Sequence, residues 1–214
     1  MLSITVIILV ITILVSLGAF NNQKVMNDLI FYPPAVQQGQ LYRFFTCGLI
    51  HADFGHLLFN MISLYFFGRF VEQSFAMIMG DLGKWVYLIL YVSALAASLL
   101  PTYLKNKDNH YYRSLGASGA VSAVIFAGLL LAPDVGVYLF FIPIPIPGFI
   151  FAPLYLLLSI WMERRGGDNI NHSAHIWGAV YGLLFTLVAG YAVGFDVLGN
   201  FIGGVQSYLQ GFGR

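Results

Sequence analysis

A chain of 214 residues that is 59% hydrophobic and only 9% charged is not an ordinary soluble domain, where about a quarter of residues are charged. Its mean hydropathy of +0.80 points to a membrane. The net charge of +1 offers no surface for a polyanion, so no nucleic-acid partner is expected, and the lone Cys47 excludes an intrachain disulfide.

Length and composition predict one all-α membrane domain over residues 1–214, with no internal repeat. A spanning helix needs roughly 20 mostly apolar residues. Six stretches come close: 2–20, 54–75, 84–101, 118–133, 148–162 and 174–193. The first lacks the basic flank of a cleaved leader and is read as retained. The loop after it, 21–46, is the longest. It carries Pro33-Pro34 and several aromatics and is apolar enough to dip into the bilayer. The second span begins near His51, His56 and Asn60. After the third comes a polar, exposed loop, Lys105–His110. The fourth opens at Ser118, and Pro143, Pro145 and Pro147 make a stiff link to the fifth. The fourth and fifth are short, as expected of tilted or partly hydrated helices. Residues 164–171 are polar and glycine-containing, a mobile loop. The sixth span begins at His172 and His175. The tail, 195–214, is too rich in glycine for a seventh span. Its apolar residues Val197, Leu198, Phe201, Ile202, Val205, Tyr208, Leu209 and Phe212 recur at helical spacing, as in an interfacial helix.

Consecutive spans run in opposite directions, so the second, fourth and sixth start on one side of the membrane. His51, His56 and Asn60, Ser118, and His172 and His175 all lie at or just before those starts. They share one face and one shallow depth. A polar side chain at such a depth is costly and marks a functional site, or a hydrogen bond joining two helices. Gly178 and Gly182 form a small-residue face on the sixth span, and Gly119, Ala123 and Ala127 form one on the fourth. If these faces pack, Ser118 comes within reach of His175.

A serine hydroxyl becomes a nucleophile when a base takes its proton, and histidine is the usual base. No Asp or Glu lies in the fourth or sixth span. The nearest carboxylate in sequence is Asp168, so a Ser118–His175 dyad is expected rather than a triad. Ser118 at a helix start has unpaired backbone N–H groups that favour negative charge. His56 and Asn60, four apart on one face, are further donors for an oxyanion. Gly116 and Gly119 let a substrate backbone come near Ser118. The pattern is not the Gly-x-Ser-x-Gly elbow, since position 120 is Ala and no strand precedes it.

These residues resemble the rhomboid family of intramembrane serine proteases over nearly the whole chain. Gly116-Ala-Ser118-Gly119 is similar to its Gly-x-Ser-Gly motif. Ala174-His175-Ile-Trp-Gly178-Ala-Val-Tyr-Gly182 is similar to its Ala-His-x-x-Gly-x-x-x-Gly. His51-Ala-Asp-Phe-Gly-His56-Leu-Leu-Phe-Asn60 is similar to its His-x4-His-x3-Asn. Tyr42-Arg43 stands where the family commonly has Trp-Arg, and Glu72 resembles a structural glutamate. The resemblance implies a six-transmembrane-helix rhomboid-like bundle with Ser118 as nucleophile and His175 as general base. His56, Asn60 and the Ser118 N–H would form the oxyanion hole, with His51, Gly116, Gly119, Gly178 and Gly182 in support. It also implies that loop 164–173 caps the site and that the fifth helix moves to admit substrate from the side. The substrate would be a transmembrane helix of another protein in the bilayer, locally unwound by Gly or Pro. No cofactor and no metal are expected, and nothing is implied about oligomeric state.

Two features depart from the family pattern. Position 122, four after the nucleophile, is Ser where many rhomboids have an aromatic ring against the histidine. Another ring, or helix packing, must then orient His175. Also, Lys24, Arg43, Lys105, Lys107, Arg113, Arg164 and Arg165 lie on the loops of the site's own face, against Arg69, Lys84 and Arg214 opposite. The positive-inside rule would place the site face in the cytoplasm. The family orientation, taken as the expectation, puts the N-terminus there and opens the site outward, in the cytoplasmic membrane of a bacterium. Two other classes compete: a non-catalytic rhomboid-like protein that binds membrane clients, and a transporter binding metal through His51, His56, His172 and His175. Cys47 as a nucleophile is a weaker alternative, since no basic cluster marks it.

Overall fold

The computed structural model describes residues 3–139 and 142–211; the first residue of the stretch 2–20, and Phe212 and Arg214, lie outside them. The chain begins with α1 (Ile4–Phe20), and three short helices follow: α2 (Gln23–Leu29), α3 (Pro33–Gln37) and α4 (Arg43–Thr46). Next come α5 (Phe54–Ser63), a π-helical turn (Leu64–Gly68) and α6 (Arg69–Met79), together one helical rod. Then follow α7 (Gly83–Asn106) and α8 (Ser118–Leu131), a hairpin of β1 (Gly136–Leu139) and β2 (Ile142–Pro147), α9 (Gly148–Arg165), α10 (His172–Ala192) and α11 (Val197–Gly211). The protein is thus mostly helical.

Among the described residues, three segments are long and apolar enough to cross a bilayer: Phe54–Met79, Leu82–Asn106 and His172–Ala192. α1 and α8 are shorter apolar helices. Large apolar side chains face outward along α1 (Val10, Leu14), α7 (Ile89, Leu100), α9 (Leu157, Trp161) and α10 (Leu184, Val188). Water would penalise so much exposed apolar surface, whereas lipid accepts it. The chain is an integral membrane protein.

At the centre stands α8, buried except at Ser118, Ile125 and Leu131. A helix apolar all round belongs inside a bundle. α10 packs along it, and α7 lies against both. The predicted small-residue faces meet. A Cβ added to Gly178 would sit 2.0 Å from the Gly119 carbonyl oxygen, and one added to Gly182 would sit 2.1 Å from that of Ala123. Close backbone approach of this kind substitutes van der Waals contact for the hydrophobic effect, which is absent between helices in lipid.

α1 docks through a polar stripe. Glu72 of α6 accepts hydrogen bonds from Ser3 Oγ, from the Ile4 (2.7 Å) and Thr5 (3.1 Å) amides, and from Thr5 Oγ1 (2.8 Å). The carboxylate therefore caps the N-terminus of α1, where the helix dipole favours negative charge.

Several boundaries differ from expectation. α7 runs through Pro101 to Asn106, because helices packed in a membrane tolerate proline. The loop 21–46 is largely short helix. Asn22 caps α2, accepting from the Lys24 and Val25 amides, and buried Arg43 ties the loop together by donating to the carbonyls of Asn27 (2.9 Å) and Ile30 (2.7 Å). The proline link is the antiparallel hairpin β1–β2; among the described residues no other strand neighbours β2, and such an edge tolerates prolines that cannot donate there. Arg164 and Arg165 close α9 rather than open a loop. Within the tail, Val197–Gly211 is helical, as its spacing suggested.

Candidate active site

The turn before α8 is built by its surroundings. Phe31 and Ser114 exchange backbone hydrogen bonds (3.0 and 3.1 Å), and the Gly116 amide donates to the Cys47 carbonyl (2.9 Å). Gly116 has φ +106°, a left-handed conformation that an L side chain rarely adopts. A Cβ there would also meet the His56 ring at 2.7 Å. Glycine is thus required twice over. The turn delivers Ser118 as the first residue of α8, with Ala117 as its cap. Fourteen residues give about 21 Å of helix, less than the roughly 30 Å hydrocarbon core, so a polar group at its start can lie below the membrane surface.

His175 lies one turn into α10, whose N-terminus is capped by Asn171 accepting from the Ala174 amide at 3.0 Å. His175 Nε2 is 2.7 Å from Ser118 Oγ. Both side chains are half-buried. The contact crosses 57 residues of sequence and follows from the glycine-mediated approach of α8 and α10. Such a pair can pass a proton from hydroxyl to imidazole.

His56 belongs to the first turn of α5, where Asp53 Oδ1 accepts from its amide at 2.8 Å. Its ring packs on Gly116, two residues before Ser118. Asn60, one turn further on, donates through Nδ2 to the His56 carbonyl at 3.0 Å. One amide hydrogen of Asn60 is thus committed to its own helix, and the second is left for another acceptor. His51 is wholly buried, its ring edge-on to His56 with centroids 4.9 Å apart.

Asp168 does not reach His175. Its carboxylate accepts from His172 Nε2 at 3.0 Å and from the Ile170 amide at 3.1 Å. The His172 hydrogen bond is the largest influence holding this carboxyl below the usual range. The His172 ring stands edge-on to His175, with centroids 5.9 Å apart. The i, i+4 spacing of Asp168 and His172 was visible in sequence; their pairing was missed. Ser122 meets the hydroxyl of Tyr155, from α9, at 3.0 Å. Nothing local in the sequence foretold that partner, 33 residues away.

The competing chemistries fit less well. Burial pushes the Cys47 thiol up to about 12, the opposite of an activated nucleophile. Among the described residues no group of His, Cys, Asp and Glu is disposed to hold a metal ion. Ring nitrogens of His51, His172 and His175 are instead taken up by protein partners.

The fold and the pair define a helical membrane protein with a serine and a histidine hydrogen-bonded at two helix starts. Residues 38–192 match the Rhomboid domain, and the chain belongs to the rhomboid family, whose members are in general intramembrane serine proteases. It is 32% identical over 172 residues to RHOMBOID-like protein 12, mitochondrial, of Arabidopsis thaliana, covering 75% of this chain and 50% of that protein. It is 30% identical over 177 residues to Rhomboid protease GlpG of Enterobacter sp. (strain 638), covering 81% and 57%. With Rhomboid protease GlpG of Haemophilus influenzae it shares 27% over 164 residues, covering 75% and 76%. The chain therefore spans about half the length of the first two relatives.

Proposed function

We propose that this protein is an intramembrane serine endopeptidase that cuts transmembrane helices of other membrane proteins. The observation that carries the reading is the 2.7 Å contact between His175 Nε2 and Ser118 Oγ at the start of α8. Ser118 Oγ attacks the scissile carbonyl as its proton passes to His175. The oxyanion that forms is met by the Ser118 N–H, unpaired at the helix start, and by the His56 and Asn60 side chains. His175 then protonates the leaving amine, and water releases the acyl group from Ser118.

On this reading residues 1–214 form one domain, in which α1, α5–α6, α7, α8, α9 and α10 are six spans and α11 rests at the interface. The N-terminus lies in the cytoplasm of a bacterium and the site opens outward. The charge count against that orientation is weakened by local roles. Arg43 is spent on carbonyls, Arg113 stacks 3.7 Å from the centre of the Tyr32 ring, and Lys105 pairs with Glu163 at 3.2 Å. Residues 164–173 cap the site, and α9 moves to admit substrate. A helical peptide bond is shielded, so favoured substrates carry weak helix formers near the cut.

The test is cleavage of a single-span reporter in proteoliposomes by the parent, Ser118→Ala and His175→Ala proteins. Cleavage by the parent alone, insensitive to chelators, is the expected result. Mutants that cut as well as the parent would refute the site. A parent that binds reporters but cuts none would favour a client-binding rhomboid-like protein.

A further inference from the structure

We infer that Ser16 of α1 is a positioning residue for the oxyanion hole, acting through His51. The inference rests on the proteolytic reading above.

Ser16 and His51 are both fully buried, where a polar group without a partner costs more than the hydrogen bond it would make. The Ser16 hydroxyl has one hydrogen, and it donates to the Leu49 carbonyl at 2.8 Å. Its lone pairs are left to face His51 Nδ1, 3.0 Å away, so that nitrogen carries the ring's hydrogen. Nε2 then holds a lone pair, directed at the Ala117 amide, which donates to it at 3.4 Å. The three contacts agree on a single neutral tautomer.

That tautomer matters because of what else the ring touches. One side stands edge-on to His56, the ring proposed to receive the oxyanion. Nε2 holds the amide of Ala117, the cap of α8, one peptide before the Ser118 N–H. His51 thus sets the relative placement of two oxyanion donors, and Ser16 sets His51. Without the hydroxyl, the ring is free to carry its hydrogen on Nε2. Two N–H groups would then face each other, and the turn 116–118 would shift. A donor displaced by a fraction of an ångström loses most where charge develops, in the transition state. If Ser16 served only to join α1 to the bundle, its loss would lower stability and leave turnover alone.

The experiment compares Ser16→Thr with Ser16→Val, side chains of nearly the same shape that differ in the hydroxyl. Reporter cleavage in proteoliposomes, uptake of a fluorophosphonate probe by Ser118 and thermal unfolding are read together. We expect the Thr protein to keep turnover. The Val protein should lose about tenfold in kcat, with KM within about twofold. Equal kcat in the Thr and Val proteins overturns the inference, whatever the unfolding temperatures do. Nitrogen NMR of the histidine rings gives a second readout, one that survives a Val variant that does not fold. His51 should show hydrogen on Nδ1 in the parent; hydrogen on Nε2, or on both nitrogens, overturns the inference. A parent that neither cuts nor takes up the probe would sink the proteolytic reading instead, while the histidine spectrum would still decide the Ser16–His51 contact.

Discussion

Replacing Gly178 by alanine tests the link between helix packing and chemistry. The new Cβ would start 2.0 Å from the Gly119 carbonyl oxygen and 2.9 Å from its carbonyl carbon, whereas real Cβ contacts essentially never fall under 3.0 Å. The obstacle is backbone, which cannot rotate away. α10 must therefore retreat from α8 by about 1 Å. His175 lies three residues earlier on the same helix and moves with it. Its 2.7 Å contact with Ser118 opens towards about 3.7 Å, beyond a useful hydrogen bond. A misplacement of about 1 Å costs on the order of 100-fold in rate, or about 2.7 kcal/mol of barrier. Overpacking would also lower stability by about 1–3 kcal/mol. The assay is kcat for reporter cleavage alongside thermal unfolding. Gly203→Ala serves as control, since its Cβ would meet nothing within 4 Å. Parental kcat in Gly178→Ala would refute the reasoning, and so would an equal loss in the control.

Two further outcomes follow from contacts beside the pair. Asp168 has its folded pKa held below the unfolded value by His172. Its contribution to stability is therefore full above about pH 4, where an unfolded Asp titrates, and disappears as pH falls through the folded value. Thermal midpoints of parent and Asp168→Asn proteins should differ near neutrality and converge in acid; a gap that widens in acid would contradict the pairing. Tyr155→Phe removes the hydroxyl contact between α9 and Ser122. If α9 moves to admit substrate, loosening it by one neutral hydrogen bond should raise kcat/KM for a transmembrane reporter about fivefold. A fall in kcat/KM at unchanged stability would instead place Tyr155 in substrate binding.

The features legible in the sequence were those written in short spacings. Gly119 and Ala123 on one helix, and Gly178 and Gly182 on another, mark close-packing faces by their four-residue interval alone, and those faces do meet. Alternation of helix direction leads to the expectation that Ser118, His56 and His175 share one face, and Ser118 and His175 are in contact. Partners from distant segments left no such mark. Ser16 reaches His51 across 35 residues, and nothing in the sequence around Ser16 separates it from an ordinary helix serine. Proline misled in both directions. Pro101 was read as a helix end, although lipid and neighbouring helices sustain α7 through it. Pro143, Pro145 and Pro147 suggest only a stiff link, whereas they lie in a paired strand whose outer edge accepts residues that cannot donate.

The division of the pair between α8 and α10 has a consequence for synthesis. Ser118 leaves the ribosome well before His175, and the two meet only when α10 has entered the membrane and closed against α8. A nascent chain that stops short of α10 carries Ser118 without the histidine it contacts. On the proteolytic reading, activity would thereby be deferred to the last stage of assembly, and a truncated product would be harmless to the proteins inserting around it.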